Sequence, residues 1–142
     1  MKLLKKLLTI LLCTAVLLFS VFMIGRYGWK LGGFGACQGS GIEQINVEEN
    51  WVRICGFYPG SFPQGFLGYH AQQVDGTLYV GFKFSGLFAF FDNGDFDIII
   101  PTKGKVTQVV LKTKNNEFHI WPKYEDLPYE ITEIPDASAA CE

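Results

Sequence analysis

Apolar and polar residues follow two different patterns along this chain, and the change falls near residue 41. Residues 7–24 form an uninterrupted uncharged run of 18 positions, long enough as a helix to cross most of a hydrocarbon core. Chain in lipid must satisfy its backbone polar groups internally, so the run is predicted to be helical. Lys2, Lys5 and Lys6 precede it, and Arg26, Tyr27, Trp29 and Lys30 follow, the basic and aromatic mixture of membrane–water interfaces. The pattern predicts a membrane anchor over 1–24, inserted through residues 7–24.

The competing reading is a cleaved signal peptide, which shares the basic start and apolar run. Three details favour an uncleaved anchor. The run is long for a signal peptide. Small residues spaced for cleavage occur only at Gly33 and Gly35, well past its end. For lipid attachment, Cys13 follows Leu12 where a small residue is needed, and Cys37 is too far along.

Residues 25–41 hold Gly25, Gly28, Gly32, Gly33, Gly35, Gly39 and Gly41, a composition that predicts a flexible tether. Beyond it the period becomes two, with turn signals at strand-like spacing. A β domain is predicted over 42–134, followed by a frayed acidic tail over 135–142. Its first strands are expected at 42–47 and 51–58, the second ending at Pro59-Gly60.

Three hairpins are expected next. The first joins 66–74 to 77–84 around Asp75-Gly76, a type I′ signal. Its register puts Leu67, Tyr69, Ala71, Leu78, Val80, Phe82 and Phe84 on one face, and His70, Gln72, Tyr79 and Lys83 on the other. The second joins 87–91 to 96–100 around Asn93-Gly94. The third joins 106–113 to 117–121 around Asn115-Asn116, setting Lys114 opposite Glu117. A last strand is expected at 129–134. About seven strands without helical periodicity predict an all-β fold: an antiparallel, immunoglobulin-like sandwich, with a small β-barrel as the alternative.

Charge adds an asymmetry. All 14 acidic residues lie beyond Gln38, against seven Lys and Arg there, so the distal part carries a net −7 within a total of −2. Such a surface lacks the basic stripe that nucleic acid requires. The lysines ahead of the apolar run favour a cytoplasmic N-terminus and an extracytoplasmic domain, or secretion if the peptide is cleaved. That location permits a disulfide, for which Cys37 and Cys55 are the candidate pair.

Candidate chemistry is sparse. No HExxH, CxxC or phosphate-cradling glycine motif occurs, and no cofactor is expected. Ser61 and Ser85 lie outside any nucleophile elbow. Cys55 with His70 or His119 remains the one nucleophile–base combination, the basis of an alternative reading as a small enzyme or accessory hydrolase. Asp92, Asp95 and Asp97 gather at the expected second tip and would offer oxygens to a hard cation. An open hairpin tip supplies too few ligands, so no metal site is expected. Phe88, Phe90, Tyr79 and Trp121 fall on faces that the predicted core leaves over, and exposed aromatics bind partners. The function expected is therefore non-catalytic: a membrane-tethered domain binding a protein or cell-envelope partner, or a structural subunit of a membrane complex.

Overall fold

The computed structural model describes residues 1–61, 64–89 and 92–122. Its first element is helix α1, Lys2–Tyr27, which has no buried residue and is long and apolar enough to cross a membrane. At 1.5 Å per residue it extends about 39 Å. Thr9, Thr14 and Ser20 return their hydroxyls to the carbonyls of Lys5, Ile10 and Val16, so these polar side chains are satisfied within the helix.

The glycine-rich stretch is folded instead of forming a loose tether. A 3-10 helix, Gly28–Ala36, continues directly from α1, with Gly33 at φ 52 where it kinks. Seven strands follow among the described residues: β1 Gly41–Val47, β2 Trp51–Phe57, β3 Gly65–Val74, β4 Thr77–Ser85, β5 Phe96–Pro101, β6 Gln108–Lys112 and β7 Glu117–Trp121. They form a three-stranded sheet, β1-β2-β5, and a four-stranded sheet, β3-β4-β6-β7. Val52 and Ile54 of one sheet and Leu78, Val80, Phe82 and Leu111 of the other belong to the same buried cluster. Neither sheet closes into a barrel among the described residues.

The first hairpin has the expected register, with Val74 opposite Thr77 and Asp75 and Gly76 at φ 47 and 82, the positive values a type I′ turn requires. Its lower end differs. A bulge between Phe66 and Gly68 turns Phe66, in place of Leu67, against the core. An extra residue in one strand reverses the inward and outward positions beyond it.

The second hairpin does not form. β5 pairs with β2, Ile98 opposite Ile54, and burial alternates along it. Asn93-Gly94 serves instead at a crossing between the sheets: the Tyr58 N–H donates to the Gly94 carbonyl at 3.0 Å and the Phe66 N–H to that of Asn93 at 2.9 Å. Having crossed out through β5 and back, the chain lays β6 beside β4 in parallel, so the larger sheet is mixed, not purely antiparallel. In the third hairpin Thr113 pairs with Asn116, one residue earlier than expected. Lys112, not Lys114, then faces Glu117, and the two form an ion pair at 2.5 Å. The strand expected at 129–134 and the tail lie outside the described residues.

Much of the aromatic excess is core. Phe96 stacks on Phe82 at 4.4 Å and on Phe66 at 5.1 Å, while Tyr58 leans on Phe84 at 5.1 Å.

Candidate functional site

Two surfaces gather the chemically distinctive side chains. The first is the outer face of the β3-β4-β6 region, where the chain seats its own N-terminal segment. Trp29 is 9% exposed, its indole lying over Gly68; it belongs to the fold and not to the exposed interfacial belt expected from its position. Phe34 meets the His70 ring edge-on at 4.9 Å. The Lys112 ammonium lies 5.6 Å from the Phe34 ring and 5.1 Å from that of Tyr79. The Gln38 N–H donates to the Phe82 carbonyl at 2.8 Å, and Gln38 Oε1 accepts from the Phe84 N–H at 3.1 Å. This segment thus adds a short bridge to the sheet and is not a spacer.

The sequence-predicted binding residues therefore separate. Tyr79 sits beside Lys112 on the seated face. Phe88 packs against α1, its ring 6.0 Å from that of Phe22 and pressed on Gly25. Trp121 lies at the edge of the core and lines a pocket of about 340 Å³ with Val47, Glu48, Lys105 and Val106. Phe90 lies outside the described residues. No single aromatic row results.

The cysteines also differ from expectation. Cys37 is a free, buried thiol standing over Gly81, whose added Cβ would lie 2.6 Å from its sulfur. Burial pushes its pKa up to about 11, against a smaller downward pull from Lys83. The Cys37–Cys55 bridge is thus not formed, because Cys37 faces β4 while Cys55 lies on β2 in the other sheet. Cys55 is disulfide-bonded. Its sulfur lies 3.3 Å from Asp97 Oδ1. His70 is engaged by Phe34, and His119 lies against Gln108.

The three aspartates do not converge. Asp92 meets Arg26 at 3.5 Å. Asp97 receives Arg53 Nε and Nη2 at 2.9 and 2.6 Å. These hydrogen bonds hold the Asp97 carboxyl below its usual range against the opposing effect of burial, with a smaller contribution from the guanidinium charge. Asp95 is exposed, and no cluster able to hold a metal occurs among the described residues.

The second surface is an open cleft of about 910 Å³ where the ends of β1 and β2 face the crossing before β5. Glu43, Asp92 and Asp95 supply carboxylates; Phe57 and Tyr58 supply aromatic faces. Its described lining carries no histidine or cysteine, so the chemistry on offer is attraction of a cationic or aromatic-stacking group. Sequence reading missed this cleft because Glu43 and Asp95 come together only through the pairing of β5 with β2. Pro59-Gly60, the turn signal ending β2, was the one local hint.

No family model, curated protein or solved structure matches this chain.

Proposed function

We propose that this chain is a non-catalytic, membrane-tethered domain that binds a protein of the same membrane or a cell-envelope partner, and that the partner enters the Glu43–Phe57–Asp95 cleft. The observation carrying the proposal is the relation between α1 and the sheets. A long apolar helix that buries nothing in its own protein is stable in a bilayer and not in water, since each large apolar side chain left in water forgoes about 1.5–3 kcal/mol. The same helix ends against the domain through Phe22 and Arg26, which supports a cleft near the membrane surface, within reach of juxtamembrane segments. The Glu43 and Asp95 carboxylates beside two aromatic rings favour a basic or aromatic sequence over an acidic one.

The two sheets around one core are read as an immunoglobulin-like sandwich carrying this cleft at one end. An extracytoplasmic domain with a cytoplasmic N-terminus is the reading that the lysines ahead of α1 favour.

The test is a photo-reactive residue at position 57 of the full-length protein in its own membrane. One discrete adduct, lost on replacing Glu43 and Asp95 by lysine and retained on replacing His70 and His119 by alanine, is expected. An adduct indifferent to Glu43 and Asp95 but abolished by a histidine change would contradict the cleft and revive catalysis.

A further inference from the structure

The turn that follows β4 is fastened to the C-terminal end of α1 on more than one side. Beyond the Phe22–Phe88 ring contact, Arg26 Nη1 donates to the Phe88 carbonyl at 2.7 Å, and the same guanidinium meets Asp92. The turn is stiffened from within: Ser85 Oγ accepts the N–H groups of Leu87 and Phe88 at 3.3 and 3.1 Å. Held this way, Leu87 is 70% exposed at the margin of the Glu43–Phe57–Asp95 cleft, whose lining it joins. Its level along the helix is defined. Phe88 touches positions 22 and 25, while the apolar run ends at Ile24; with a rise of about 1.5 Å per residue, Phe88 lies within one helical turn of that end. Headgroup regions extend some 5–7 Å beyond the hydrocarbon on each side. Tyr27 and Leu31, exposed by 50% and 94%, add apolar surface near the same helix end, and Lys30 lies 5.9 Å from the Tyr27 ring.

We propose that the 85–89 turn is a second membrane contact, in which Leu87, braced by Phe88 and Arg26, enters the headgroup–acyl boundary beside α1 and fixes the orientation of the domain on the bilayer. This rests on the membrane reading of α1. The occupant is lipid because the turn is continuous with the apolar helix through Phe22, and because Arg26, its guanidinium satisfied by the Phe88 carbonyl and Asp92, stands just beyond the apolar run, where interfacial arginines are found. A single helix by itself leaves a domain free to rotate; a second contact on one side of the helix removes that freedom.

The test uses the full-length protein in phosphatidylcholine vesicles, with a photo-reactive diazirine residue placed singly at 11, 87 or 74. Position 11 lies within α1, and Val74 is an exposed position at the opposite end of the β3–β4 hairpin, about 26 Å along the strand from Ser85. Adducts heavier by one phospholipid are expected at 11 and 87, with at least a tenfold lower yield at 74. Lipid capture at 11 but not at 87, equal capture at 87 and 74, or a protein adduct at 87 would each overturn the second contact while leaving the anchor intact. Absence of lipid at 11 would show that the anchor reading itself fails, and the second contact with it.

Discussion

Trp29, two residues beyond the end of α1, closes against the α-carbon of Gly68: a Cβ built on that glycine would lie 2.9 Å from the indole Cζ2. The pair joins the end of an apolar helix to a strand of the larger sheet, and the close approach predicts that neither residue exchanges freely. A side chain at 68 lifts the indole; a smaller residue at 29 leaves the sheet face open.

Trp29→Ala should cost about 2–4 kcal/mol, toward the lower part of the range for large-to-small aromatic changes because the site lies at the surface of the domain. Gly68→Ala should cost about 1–3 kcal/mol by overpacking. Denaturant unfolding in detergent gives the cost. Hydrogen exchange should show loss of protection at Cys37 and Gln38 with β1, β2 and β5 unchanged. Uniform loss across both sheets would contradict a local seat.

Val80 is fully buried and Lys83 half-exposed on the same strand. Val80→Asp should prevent stable folding, since an unpaired buried charge is among the costliest single changes. Lys83→Asp should move the melting temperature by no more than a few degrees. Comparable shifts for the two would refute the register of β4.

That register was legible because Asp75-Gly76 fixes both a turn and the alternation on either side of it. The limits of periodicity appear at β5. Alternation puts Phe96, Ile98 and Ile100 on one face, and all three are buried, but it carries no information about which sheet a strand joins. Asn93-Gly94 was read as a hairpin tip, whereas its carbonyls receive N–H groups from the ends of two different sheets. The bulge at Leu67 and the parallel placement of β6 are consequences of long-range pairing with no local signature. The glycines of 25–41 misled in a different way: their density suggested slack chain, while Trp29, Phe34 and Cys37, interleaved among them, are the residues that seat the segment. The acidic, aromatic cleft was invisible for the same reason as β5.

Alkylation should separate the cysteines. In the folded protein Cys37 should resist a polar maleimide, being buried with its pKa raised to about 11 and hence little ionised at neutral pH. After denaturation without reductant Cys37 should label fully, and Cys55 only once reductant is added. Labelling of Cys55 without reductant, or failure of Cys37 to label in denaturant, would contradict the thiol assignment.

The Arg53–Asp97 pair sets a pH dependence. The folded-state pKa of Asp97 is lowered, so the stability it contributes is present above the unfolded value near 4 and is lost as pH falls through the folded value. The pair is about one-third exposed, with side chains 28% and 37% accessible, and solvent screening should keep its contribution below about 1 kcal/mol. Asp97→Asn should lower stability slightly at pH 6 and flatten its decline below pH 4. Millimolar calcium should leave the melting temperature unchanged. A calcium-dependent rise abolished by Asp95→Asn would overturn the account of the dispersed aspartates.

The central claim is that the apolar helix and the segment bearing Trp29 and Phe34 remain part of the mature protein, because that segment completes the outer face of the larger sheet. Intact mass of the protein extracted from its membrane tests this directly. The account predicts a chain retaining residues 1–36, close to the full 15.9 kDa apart from any loss of Met1. A mature chain beginning near Ala36 or Cys37 would remove the anchor and the seat together, and would contradict it.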